Sequence, residues 1–220
     1  NTSYVKTDEK LQTSVSVCLQ YPDKDGCNIT ACNCASGAVS PDYIIESMKA
    51  VDIDEQTVVA AIPEAPVESR VAMIRYGRAD IYRYCDLISV NEEEARAIIG
   101  TDLSGMDLVV ELARYIQKFQ KDIMLVVTMG SIGAYSVWYD HIEFIPPYPS
   151  QKVANTTGAG DACLGGTIGG LAKNLPFQKG HNDAFFGETP LKSAVELGTI
   201  CAGMAIESED SIAKHVTIDS

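Results

Sequence analysis

A chain of 220 residues, 46% of them apolar, is long enough to bury a sizeable core as one medium domain, or one domain with a small appendage. Its formal charge of −13 argues against nucleic acid or an anionic membrane surface as partner, although local N–H groups and a divalent ion still allow a nucleotide to bind. No apolar run approaches the roughly 20 residues of a bilayer-spanning helix.

No secretory leader is expected. The seven cysteines contain no C-x-x-C pair, and Cys27, Cys32 and Cys34 lack zinc spacing and a nearby histidine. They read as free thiols of a reduced, cytoplasmic compartment. His141, His181 and His215 stand apart and read as surface or structural residues.

Thr13 to Tyr21 alternates Val15, Val17, Leu19 and Tyr21 with smaller or polar residues, the pattern of a half-buried strand. Pro22 to Gly26 is a turn, and Cys27 to Cys34 is the return strand. A lone hairpin is marginal and needs a further surface. Ser40-Pro41 reads as an N-cap with proline at the first helical position of a helix reaching about Ala50. Thr57 to Ile62 is a short strand closed by Pro63, and Pro66 to Tyr76 a helix. Asp86 to Val90 is a buried-type strand, after which Asn91 caps a helix that Gly100 ends.

The spacing predicts a further helix from Gly105 to Gln120, with Leu108, Val109, Leu112, Tyr115, Ile116 and Phe119 on one side. Ile123 to Met129 is an apolar strand, Gly130 to Gly133 a turn, and Ala134 to Tyr139 and Ile142 to Ile145 are short strands. Pro146, Pro147 and Pro149 make a stiff link into Asn155-Thr156-Thr157-Gly158-Ala159-Gly160-Asp161. A helix to near Asn174, a polar loop from Pro176 to Thr189 and a helix from Pro190 to about Glu207 complete the pattern. Strands alternating with helices imply an α/β fold with a mostly parallel sheet, whose ligands bind beyond the carboxyl ends of the strands. Asn91 with Glu94, the Thr128–Gly133 turn and the Gly158–Asp161 loop all fall at such ends.

The last of these carries the most chemistry. Glycines around an alanine let backbone approach a ligand closely, and a helix starting there offers unpaired N–H groups and the positive end of its dipole to an anion. Asp161 in that first turn is either a helix-start charge or a base held beside a phosphate. A Walker A loop is excluded because the lysine is missing, and the dinucleotide fingerprint fails where Cys163 replaces its last glycine.

Over nearly its whole length the chain resembles the ribokinase-like, or phosphofructokinase-B, family of carbohydrate and nucleoside kinases. Thr156-Thr157-Gly158-Ala159-Gly160-Asp161-Ala162 resembles that family's T-T-G-A-G-D-A signature, Asn91-Glu92-Glu93-Glu94 its N-x-x-E motif, and Thr128 to Gly133 its T-x-G-x-x-G turn. The resemblance implies a three-layer α/β/α fold with a small β-hairpin lid. Residues 1–36 would be the lid and 37–220 the nucleotide-binding and catalytic domain, with the family's N-terminal, sugar-recognising segment absent.

It also implies transfer of the γ-phosphate of ATP to a hydroxyl of a sugar. Asp161 would be the general base, and Gly158, Ala159, Gly160 and Asp161 the anion hole. Thr128, Gly130, Gly133, Thr157, Ile200 and Gly203 would border the nucleotide. Asn91 and Glu94, whose other reading is an N-cap with its capping-box partner, would help hold Mg²⁺. A nucleoside kinase of the adenosine or pseudouridine type, or a silent nucleotide-binding relative, are the alternatives. Asn155 stands where the family usually has Asp, a position tied to monovalent-cation activation in some members, so the resemblance does not carry that dependence over. The lid's exposed strand edge implies a homodimer.

Overall fold

The computed structural model describes residues 4–20, 26–31, 33–51, 65–66, 68–70, 72, 85–149, 152–179 and 191–208. The chain divides into two compact units, Asn1–Leu19 with Cys27–Cys85, and Gln20–Gly26 with Asp86–Ser220.

Strands β1 (Ser16–Gln20) and β2 (Gly26–Thr30), all but Gln20 and Gly26 in the first unit, form a two-stranded sheet. Too few residues separate them for a crossover, so they pair as a hairpin. The Ala31 N–H donates to the Val15 carbonyl at 3.0 Å, and Ser16 and Thr30 join through their hydroxyls at 2.7 Å. Both strands are shorter than their apolar alternation suggests. Helix α1 (Pro41–Ala50) begins as expected, with Ser40 Oγ accepting from the Tyr43 N–H at 3.2 Å and Pro41 at the first position. The predicted strand from Thr57 to Ile62 lies outside the described residues. Of the helix predicted from Pro66, residues 68–70 and 72 are helical, and the Pro66 carbonyl accepts from the Ser69 and Arg70 N–H groups at 3.0 Å.

The second unit holds β3 (Leu87–Asn91), α2 (Glu92–Ile99), α3 (Gly105–Gln117), β4 (Met124–Thr128), β5 (Ala134–Trp138), β6 (His141–Ile145), α4 (Ala159–Ala172) and α5 (Ala194–Ile206). Its strands run in the order β3-β4-β5-β6. β3 and β4 are parallel, whereas β4–β5 and β5–β6 are antiparallel, so among the described residues the sheet is mixed rather than mostly parallel. The reason is local: Met129–Gly133 and Tyr139–Asp140 are tight connections, and only the β3–β4 connection has the length of a helical crossover.

Leu125, Val126 and Val127 are all buried, so both faces of β4 are covered. Val126 joins Ala134, Ile145, Phe177 and Val195 in one core cluster, with Leu171 packed against it. α2 touches β3, β4 and α3, and α3 buries Leu108, Val109, Leu112, Ala113 and Ile116. The outer part of the predicted α3 stripe is not core: Phe119 is exposed and meets Tyr115 edge-on. α4 lies against α5 and touches β3, while α5 touches β6. Helices thus cover a central sheet in an α/β arrangement. Among the described residues no helix is long and apolar enough to cross a membrane.

α5 begins at Ala194 because Ser193 caps it, its Oγ accepting from the Glu196 N–H at 3.1 Å.

Candidate active site

The parallel register pairs Asn91 with Thr128, which sets the ends of β3 and β4 side by side. α2 starts directly on the end of β3. Its first turn is a complete capping box: Asn91 Oδ1 accepts from the Glu94 N–H at 2.8 Å, and Glu94 Oε2 accepts from the Asn91 N–H at 2.9 Å. Glu92 pairs with Arg96 at 3.0 Å, one turn on. Gly100, at φ +65°, closes the helix through its N–H to the Arg96 carbonyl at 2.8 Å. Asn91 and Glu94 are exposed, and the box engages only one oxygen of the Glu94 carboxylate.

The two glycines in the turn after β4 serve different purposes. Gly130 sits at φ +56° and is exposed, and a Cβ there would meet nothing within 4 Å. Gly133, at φ +125°, is buried: a Cβ there would run into the Ile145 carbonyl oxygen and stand 3.1 Å from the Pro147 nitrogen. Gly133 is thus filled by the protein's own chain, and Gly130 faces open space. The Met129 N–H donates to the Gly133 carbonyl at 2.8 Å, and the Thr128 hydroxyl reaches the Val90 carbonyl at 3.5 Å.

The segment before α4 is tied down at both ends. The Ile206 carbonyl, at the end of α5, accepts from the N–H groups of Ala154 at 2.8 Å and Asn155 at 3.2 Å. Asn155 Oδ1 then accepts from the Thr157 N–H at 2.9 Å, which folds the turn. The Ala159 N–H makes a long bond of 3.3 Å to the Thr156 carbonyl. Gly158 occupies the left-handed region at φ +84°, and no side chain caps the helix it begins. The first turn of an α-helix leaves its N–H groups without intrahelical acceptors, so those of Gly160 and Asp161 point outward at the positive end of the dipole. Gly160 and Asp161 are exposed, and a Cβ on Gly160 would meet nothing within 4 Å.

Behind this open end α4 packs closely against α5. Cβ atoms on Gly166 and Gly170 would lie 2.8 Å from Cys201 Sγ and 2.9 Å from Ala194 Cα, and one on Gly198 would lie 2.5 Å from the Cys163 carbonyl oxygen. The helices therefore touch through their backbones. Thr167 Oγ1 donates to that same Cys163 carbonyl at 2.8 Å. Burial pushes the Cys163 thiol up to about 11, with Cys201 adding to the shift, and burial likewise raises Cys201.

The structure thus joins Asn91, Glu94 and Thr128 at one pair of strand ends, and sets Thr157, Gly158, Ala159, Gly160 and Asp161 on the start of α4, which touches β3. Ile200 is half-buried on α5, and Gly203 meets Tyr148, whose Cβ and Cδ1 would lie 2.6 and 2.7 Å from a Cβ at that position. Two supports carried no readable signal in the sequence: the Tyr148 ring, and the Ile206 carbonyl, which as backbone has none to give. The Pro-rich setting of Tyr148 says only that the chain is stiff there.

The chain belongs to the pfkB family of carbohydrate kinases, whose family model matches residues 1–217. A fructokinase of Klebsiella pneumoniae is 38% identical over 87 residues, which are 40% of this chain and 26% of that protein. A putative 1-phosphofructokinase of Mycoplasma pneumoniae is 34% identical over 79 residues, 36% of this chain and 26% of that protein. The chain thus spans about a quarter of the length of these curated relatives. A ribokinase from Giardia lamblia superposes with a TM-score of 0.71 at 16% identity, covering 94% of this chain and 69% of that one, which shows the ribokinase-like fold.

Proposed function

We propose that the chain transfers the γ-phosphate of ATP to a hydroxyl of a sugar at the start of α4. The observation that carries this reading is an uncapped helix N-terminus, entered through left-handed Gly158, with an exposed carboxylate, Asp161, in its first turn. Asp161 takes the proton of the acceptor hydroxyl as its oxygen bonds to the γ-phosphorus, the bond from that phosphorus to the β-phosphate oxygen breaks, and ADP leaves. The N–H groups of Gly160 and Asp161, with Ala159 beside them, hold the charge that builds on the phosphoryl oxygens. Little covalent chemistry is required of the protein beyond alignment.

Thr157, the exposed Gly130 with Thr128, and Ile200 border the nucleotide in this reading. The donor set also fits Mg²⁺: exposed Glu94 keeps one carboxylate oxygen outside its capping box, and Asn91 stands next to it. These residues would hold the ion through water, and when bound it neutralises phosphate charge. A sugar acceptor is favoured because the fructokinase match is a sugar kinase by name. Residues 1–36 act as the lid in this account, and exposed Val15, Val17 and Leu19 offer a strand face for a second copy. Sedimentation of the protein as a monomer would count against that pairing.

The test is ATP turnover with a panel of sugars and nucleosides, run beside Asp161→Asn. Turnover that the substitution leaves unchanged removes Asp161 from its role, and acceptance of nucleosides alone removes the sugar assignment.

A further inference from the structure

α5 holds the chain leading to α4 at two places. Gly203 receives the Tyr148 side chain, and three residues later the Ile206 carbonyl takes the N–H groups of Ala154 and Asn155. Residues three apart lie on one side of a helix, so the last turns of α5 form a single seat for the approach to the Asn155–Asp161 loop. The same approach is gripped upstream. Gly133 presses on the Ile145 carbonyl and on Pro146 and Pro147, leaving no room for a Cβ. Pro146, Pro147 and Pro149 stiffen the stretch, so Tyr148 has little freedom to move off its seat.

Two glycines that the family resemblance assigns to the nucleotide, Gly133 and Gly203, are thus packed by one strap of the protein's own chain. Tyr148 is 38% exposed yet its ring begins against α5, the geometry of an anchor.

We infer that Tyr148 is a positioning residue: by seating on Gly203 it fixes where the strap delivers the Asn155–Asp161 loop, and so where the Gly160 and Asp161 N–H groups point. The consequence for turnover rests on the kinase reading above; the consequence for the loop's position does not. Displacing aligned groups by about 1 Å can cost on the order of 100-fold in rate. Tyr148 itself needs to touch neither the nucleotide nor the acceptor.

The experiment compares the full chain with Tyr148→Phe, Tyr148→Ala and Gly203→Ala, the last pressing the strap from the helix side. Backbone amide resonances of Thr157 to Asp161 are recorded first, without any ligand. They are expected to move in Tyr148→Ala and Gly203→Ala and to stay in Tyr148→Phe; unmoved amides in both of the former overturn the inference. Turnover of ATP with an accepted sugar is measured second. Tyr148→Ala is expected to lose about 10- to 100-fold in kcat with the KM for ATP nearly unchanged, and Tyr148→Phe to recover wild-type kcat. A rise in KM alone would make Tyr148 a nucleotide contact and overturn the positioning role. If Tyr148→Ala does not fold, Gly203→Ala carries the same expectation, and unaltered amides or unaltered kcat there overturn it. Absence of turnover in the wild-type chain would count against the kinase reading, while the amide resonances would still decide the inference.

Discussion

The helices α2 and α4 both start where extended chain ends, and their first turns are finished in opposite ways. α2 is closed by its own side chains: Asn91 and Glu94 satisfy each other's backbone, and three carboxylates meet the dipole. α4 is entered through a glycine at φ +84° with no side chain to cap it, and only Asp161 is acidic in its first turn. A closed N-terminus contributes stability; an open one leaves donors for a ligand. Both lie in the same unit, so the difference separates a stabilising helix start from one whose donors stay open to a ligand, the place we propose for phosphoryl transfer.

The comparison breaks most readily at Asp161. Asp161→Asn is expected to lower turnover by about 100- to 10,000-fold without altering thermal unfolding, because the side chain is exposed. Glu93→Gln, at an exposed position in the first turn of α2, is expected to leave turnover as it was.

Glu94 sharpens the contrast, since its cap and its proposed metal role are separable. Glu94→Gln keeps an acceptor for the Asn91 N–H and so keeps the box, but removes the charge. Turnover is expected to fall about 10- to 100-fold and to recover at higher Mg²⁺, with urea unfolding unchanged. If Glu94→Gln behaves as wild type, Glu94 is a cap only.

The seat beneath α4 is read by alkaline unfolding. An ordinary thiol titrates near 9.0 and Cys163 is raised to about 11, so the folded state keeps a proton that the unfolded chain gives up. Stability from this group is therefore full below pH 9 and lost as pH rises through 11, on the order of 2–3 kcal/mol. Cys163→Ala is expected to flatten that loss in urea titrations at rising pH; an unchanged slope would show that the thiol does not sense the α4–α5 interface.

The smallest effect belongs to α2. Asn91→Ala removes one half of the box and is expected to cost about 1 kcal/mol in urea unfolding. No loss would mean that α2 is held by packing alone.

These two helix starts were also the most legible parts of the sequence. Asn91, Glu94 and Gly100 carry local signals that need no partner elsewhere, and Gly158 and Gly160 mark a turn into a helix in the same way. Gly133 and Gly203 were read as nucleotide contacts, yet each is packed by the protein's own chain: Gly133 by Ile145 to Pro147, at the far end of the hairpin it opens, and Gly203 by Tyr148, remote in sequence. A glycine announces close approach without saying what approaches. The mixed sheet was hidden for a related reason. The tight turn after β4 was visible, but the alternation of strands and helices around it outweighed what a short turn dictates about strand direction. Backbone anchors such as the Ile206 carbonyl have no side-chain signature at all.

The central claim is that the open start of α4, and not the closed start of α2, receives the transferring phosphoryl group. Backbone amide shifts on adding ADP, Mg²⁺ and aluminium fluoride, a planar phosphoryl mimic, test it most directly. The largest shifts are expected at Gly160 and Asp161, exceeding those at Glu93 and Glu94. Unmoved Gly160 and Asp161 amides, or larger shifts at the start of α2, would contradict it.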